Sequence, residues 1–119
     1  MRKDVRMLIV DDEVRNLKAS KASFLDFTVF LAESGPEALE IFKKEELNII
    51  LTDQLMPEMT GIDFLVEVQK TNDEPMRILI AGYSDINAVF DAISKGQVYR
   101  YLNKPWHYEY LKASILTAC

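Results

Sequence analysis

The chain has 119 residues, enough for one domain with its own core, and its 49% hydrophobic and 28% charged residues are ordinary for a globular fold. Its net charge of -5 argues against a nucleic-acid surface, which needs clustered Lys and Arg. The single cysteine, Cys119, excludes an intrachain disulfide; no apolar stretch approaches membrane-spanning length, and Met1-Arg2-Lys3-Asp4 leads into a strand rather than a signal peptide, so a cytoplasmic protein without membrane contact is expected.

Val5 to Val10 is nearly continuous in apolar residues and predicts a buried strand, followed by a turn at Asp11-Asp12-Glu13. Val14, Leu17, Lys21, Phe24 and Leu25 then recur at helical spacing. Thr28 to Ala32 is a second strand. Ser34-Gly35-Pro36-Glu37 starts a helix, with Ser34 as cap, Pro36 in the first turn and Glu37 as the capping-box acid; Ala38, Leu39, Ile41 and Phe42 give its apolar side. Asn48 to Thr52 is strand three, and Met56 to Gly61 is a loop at its finishing end. The next helix carries Ile62, Leu65, Val66 and Val68, and Thr71 to Pro75 stops it. Strand four runs from Arg77 to Ala81. The helix after it turns Ile86, Val89, Phe90 and Ile93 inward and ends at Gly96. Val98 to Leu102 is strand five, and Trp106 to Leu116 a last helix. Five β/α units with short connections call for an α/β fold, a parallel sheet covered on both faces.

Three of the strand-like runs finish in charge: at Asp11 and Asp12, at Asp53, and at Lys104 before Pro105. In an open parallel sheet those ends share one edge, where ligands bind. Acids at such an edge suit Mg²⁺, which takes one or two carboxylates plus waters and phosphate oxygens. Adjacent aspartates alone are also an ordinary solvated turn; Asp53 and Lys104 at other strand ends favour a site. Lys104 is a compact point charge suited to phosphate oxygens or to a salt bridge with Asp53. No Ser-His-Asp set is present, and the lone His107 reads as a surface or capping-region residue. Asp53 is left as the nucleophile for a phosphoryl group. There is no Gly-rich nucleotide cradle, so the phosphoryl donor must come from elsewhere.

Over almost its whole length the chain resembles the receiver domain of bacterial two-component response regulators. The resemblance is carried by Leu8-Ile9-Val10-Asp11-Asp12-Glu13, by Leu51-Thr52-Asp53-Gln54-Leu55-Met56-Pro57-Glu58-Met59-Thr60-Gly61, and by Tyr101-Leu102-Asn103-Lys104-Pro105-Trp106. It implies a flavodoxin-like, doubly wound, five-stranded sheet of order 2-1-3-4-5 with helices on both faces. It also implies phosphorylation of Asp53 by a sensor histidine kinase or a phosphotransfer protein. Asp12 and Asp53 would bind Mg²⁺ by carboxylate, Asp11 largely through a metal-bound water, and the backbone carbonyl of Leu55 would complete the protein ligands. Lys104 would hold a phosphoryl oxygen. Such a domain is a signalling module that takes part in its own phosphorylation and dephosphorylation, not an enzyme in its own right. Residues 1–119 would form the receiver, ahead of an output domain in a longer protein.

One position departs from the pattern. Receivers usually carry Thr or Ser at the end of strand four, and here Ala81 stands there, while Tyr101 matches the aromatic partner of that switch. Ser84 is better placed as a helix cap than as a substitute hydroxyl. The alternative to a phospho-accepting switch is therefore a docking or dimerisation module with weak switching. Helix four, strand five and helix five are the expected partner face, with Tyr99, Tyr101, Phe90 and Tyr108 near it. A small flavin carrier of similar architecture is disfavoured, because Asp11-Asp12-Glu13 would repel a flavin phosphate.

Overall fold

The computed structural model describes residues 5–82, 86–95, 100–103 and 113, with residues 100–103 described as backbone. Strands β1 (Arg6–Val10), β2 (Thr28–Ala32), β3 (Ile49–Asp53), β4 (Met76–Ala81) and β5 (Arg100–Asn103) alternate with helices α1 (Val14–Ser23), α2 (Gly35–Lys44), α3 (Gly61–Thr71) and α4 (Ile86–Ser94). All strand pairs are parallel, in the order β2-β1-β3-β4-β5.

The expectation of five β/α units needs correction at its last unit. The sheet whose side-chain packing is described has four parallel strands, β2-β1-β3-β4. β5 adds a ladder of four backbone pairs along β4, from Ile78 opposite Arg100 to Ala81 opposite Asn103. Of the helix expected over Trp106 to Leu116 only Ala113, which is helical, is among the described residues, so the described covering of both faces rests on α1 to α4.

Alternation along the central strands divides the core in two, because successive side chains point to opposite faces. Leu8, Val10, Ile50, Leu79 and Ala81 join Ala38 and Phe42 of α2, Phe64, Leu65 and Val68 of α3, and Val89 and Ala92 of α4. Met7, Ile9, Ile49, Leu51, Ile78 and Ile80 face the other way, against Leu17 of α1 and the Phe24 and Phe27 turn. Those two rings stack with centroids 5.6 Å apart.

Two helical faces differ from the sequence expectation. In α1 the buried residues are Leu17 and Ser20, while Val14 is 44% exposed and Lys21 exposed; Phe24 packs from the turn beyond the helix, and Leu25 is 67% exposed. In α4 Val89 and Ala92 are buried, whereas Phe90 and Ile93 lie about a quarter-turn round the helix and are largely exposed. The α2 cap is also refined. Ser34 Oγ accepts from Glu37 N at 3.2 Å, but the Glu37 carboxylate accepts from Glu33 N rather than from Ser34 N.

Because every pair is parallel, the finishing ends of β1, β3 and β4 meet at one edge. There Val10 is followed by Asp11, Asp53 ends β3, and Ala81 ends β4.

Candidate functional site

The sheet brings the three predicted acids together. Asp11, Asp12 and Asp53 each offer one carboxylate oxygen, and those oxygens lie within 4.8 Å of one another. Their environments differ. Asp53 is only 5% exposed, Asp11 is half-buried and Asp12 is exposed. Asp11 is oriented by its own turn: Oδ1 accepts from Glu13 N at 3.0 Å and Oδ2 from Asn16 Nδ2 at 3.2 Å. Its backbone N–H donates to Ala32 O, which ties the turn to the end of β2. Carboxylates this close repel, and a hard divalent cation relieves that repulsion through oxygen ligands. The donor set, all carboxylate oxygen, fits Mg²⁺ and does not suit a soft metal.

Gln54, next to Asp53, is a buried polar residue of this edge that sequence reasoning passed over. It is 6% exposed. Its backbone N–H donates to Ile80 O, and its carbonyl accepts from Gly61 N, both at 3.0 Å. Its side-chain Oε1 accepts from Ile62 N at 2.8 Å. The next amide, Asp63 N, donates to Thr60 Oγ1 at 3.1 Å. Three of the amides that a helix leaves without intrahelical partners at its start are thus satisfied. Thr60-Gly61-Ile62-Asp63 fits the capping pattern of Ser or Thr followed three residues later by an acid, a signal that the sequence carried. Nothing local announces Gln54, whose bond spans eight residues.

The loop closed by these bonds is strained. Met59 N donates to Pro57 O at 2.7 Å, and Glu58 between them has φ 70°. Such a conformation costs a non-glycine residue roughly 1–2 kcal/mol. Glu58→Gly is expected to raise the melting temperature by about 2–4 °C, the gain being limited by the entropy of the new glycine. An unchanged or lower melting temperature would show that the turn is not strained in this way.

Leu55 has an exposed side chain, 58% accessible, beside the buried Met56. Ala81 is 1% exposed. Tyr101 is placed in β5 opposite Leu79, as backbone. Lys104, Ser84, His107, Tyr99 and Tyr108 lie outside the described residues.

The family model for the response regulator receiver domain matches residues 7–116. The chain belongs to the response regulator receiver domain family. As a receiver domain it is a Mg²⁺-dependent phospho-acceptor switch and a signalling module. It is 35% identical over 105 residues, 87% of this chain, to the hydrogenase transcriptional regulatory protein HoxA of Cupriavidus necator. The chain spans only 22% of the length of that relative. Among solved structures, a response regulator receiver domain protein from Clostridium thermocellum aligns with a TM-score of 0.89 at 29% identity, covering 96% of this chain and 93% of that one. A structure described as an adenylate cyclase from Rhodopirellula baltica aligns with a TM-score of 0.90 at 33% identity, covering 98% and 87% respectively. Among the described residues, no helix of this receiver is long and apolar enough to cross a membrane.

Proposed function

We propose that Asp53 is the residue phosphorylated in this receiver, with Asp12 and Asp53 as direct carboxylate ligands of Mg²⁺. Asp11 acts through a metal-bound water, the Leu55 carbonyl completes the protein ligands, and Lys104 holds a phosphoryl oxygen. The observation that carries this reading is the convergence of the nearly buried Asp53 carboxylate with two acids from a different strand end. Bound Mg²⁺ supplies neutralisation of the negative oxygens that approach one another. An Asp53 oxygen attacks phosphorus while the phosphorus–nitrogen bond of a phosphohistidine breaks, giving an acyl phosphate and a free imidazole. The donor is a sensor histidine kinase or a phosphotransfer protein. The signal then passes to an output module of the same protein or to a separate partner; a relative several times longer that carries this domain supports the first route.

Mg²⁺ and Asp12 provide the test. Mg²⁺ at about ten times its Kd is expected to stabilise the domain by about 1.4 kcal/mol, since it binds the folded state only. That corresponds to a melting temperature about 5 °C higher. Asp12→Ala is expected to lose most of that shift, to slow phosphate uptake from acetyl phosphate, and to melt no lower without metal. Equal Mg²⁺ shifts in the two proteins would refute the site.

A second reading, a docking or dimerisation module with weak switching, is favoured by one observation. Ala81 puts a buried methyl group where receivers usually carry a hydroxyl. The exposed Phe90 and Ile93 of α4 offer an apolar surface for self-association. Ala81→Thr separates the readings. Its hydroxyl could add a charge-assisted bond to the phosphoryl group worth about 1.5–3 kcal/mol before strain and desolvation. A weakened native switch predicts larger amide shifts around Tyr101 on adding beryllofluoride to the Thr variant than to the wild type. Full and equal shifts in both would show that the domain transmits without the hydroxyl.

A further inference from the structure

We infer that Gln54 is a positioning residue for the metal site, a clasp that sets the Leu55 carbonyl by locking the loop it opens. The inference rests on the reading of Leu55 as a protein ligand of Mg²⁺ and extends it to a side chain that touches neither metal nor phosphoryl group.

Gln54 stands between the acceptor and the ligand: Asp53 precedes it and Leu55 follows. Its backbone is tied on one side to β4, through Ile80 O, and on the other to α3, through Gly61 N. Backbone ties alone leave residues 55–60 as an arch standing on one bond. The Oε1 bond to Ile62 N adds a second at the same base, and burial of the side chain shields it from water. Competition from solvent is therefore weak, and an unmet Ile62 N–H at this half-buried helix start would carry a desolvation cost. The arch also contains the left-handed Glu58 turn, which pulls toward a relaxed conformation unless its ends are held. Loss of the clasp frees the arch to relax, and the Leu55 carbonyl, the first in the arch, moves with it. The acids are anchored separately, Asp53 in β3 and Asp11 by Glu13 N and Asn16. The clasp thus tunes one ligand without dismantling the rest.

The coupling must run both ways: if the clasp helps Mg²⁺ bind, Mg²⁺ must tighten the clasp by the same factor. The test uses the full chain and Mg²⁺ itself. In the wild type, amide exchange of Ile62 is measured with and without saturating Mg²⁺. The Mg²⁺ Kd is then measured by calorimetry for wild type, Gln54→Met, which keeps the length but lacks an acceptor oxygen, and Gln54→Glu, which keeps one. Mg²⁺ is expected to slow Ile62 exchange in the wild type. Gln54→Met is expected to raise the Kd about threefold to tenfold, the range of one hydrogen bond. Gln54→Glu should restore Ile62 protection and bind at least as tightly as wild type.

A purely structural role would lower the melting temperature of Gln54→Met while the Kd of the folded protein stayed the same, and that result overturns the inference. Ile62 exchange indifferent to Mg²⁺ in the wild type overturns it as well, even where Gln54→Met folds poorly. Failure of the wild type to bind Mg²⁺ at all removes the metal-site reading and the inference together. Binding by wild type with an unchanged Kd in the folded Met variant removes the inference alone.

Discussion

Asp53→Asn is expected to take up no phosphate from acetyl phosphate or a phosphoramidate, under conditions where the wild type gains one phosphate by intact mass. An amide lacks the anionic oxygen that attacks phosphorus, so the acyl phosphate cannot form. The wild-type adduct should be discharged by hydroxylamine, as an acyl phosphate is. Loss of uptake would not reflect unfolding. Asn is nearly isosteric with Asp, and it removes one of the three carboxylates whose oxygens crowd within 4.8 Å. Without metal the variant should therefore melt at or above the wild-type temperature, because one source of like-charge repulsion is gone. With Mg²⁺ it should gain less than the wild type. A phosphate adduct that persists in Asp53→Asn would show that another residue is the acceptor and would sink the proposed role.

The elements that could be read from the sequence share a physical cause. β1 and β3 are buried on both faces, so Met7-Leu8-Ile9-Val10 and Ile49-Ile50-Leu51 are unbroken apolar runs. The acids at their ends were legible for the same reason: a charge that stops such a run must lie at the sheet edge. Helical faces were harder. Phe90 and Ile93 have the character of core residues but lie outward, because the sheet meets the stripe through Val89 and the small Ala92. Ser20 is buried where Lys21 fitted the spacing, since a short hydroxyl side chain can lie under a helix that a lysine must leave. The contacts of Gln54 and Gly61 were not legible, although both residues lie in the motif that carries the resemblance. Their roles are contacts across the loop, and neither residue type states its partner. Lys104, read from the sequence as a site cation, lies outside the described residues.

Gly61→Ala is expected to be the most damaging of the described glycine substitutions. A Cβ at Gly61 would lie 2.3 Å from the Asp53 carbonyl oxygen, 3.0 Å from its carbon and 2.9 Å from Leu79 Cδ1. The closest obstacle is backbone, and it belongs to the proposed phospho-acceptor. That carbonyl also accepts from Thr52 Oγ1 at 3.0 Å, so it has little freedom to retreat. The start of α3 must move instead, which stretches the Gly61 N bond to Gln54 O. Overpacking of this kind costs about 1–3 kcal/mol, and loss of the bond adds about 1 kcal/mol. The better helix propensity of Ala offsets at most about 1 kcal/mol. The net expectation is a loss of about 1–3 kcal/mol in urea denaturation, with an unchanged slope. Gly35→Ala should be milder. Its new Cβ meets Met59, with the sulfur closest at 2.6 Å, and an unbranched methionine can swing aside. Gly82→Ala should be nearly neutral, because no atom of the described residues lies within 4 Å of its added Cβ. The order of loss, Gly61 first and Gly82 last, is the measurement that matters. If Gly61→Ala were as benign as Gly82→Ala, α3 could not be seated against Asp53 as closely as the structure places it. If Gly61→Ala also weakened Mg²⁺ binding in the protein that still folds, the packing of α3 against the strand end would be tied directly to the geometry of the acidic site.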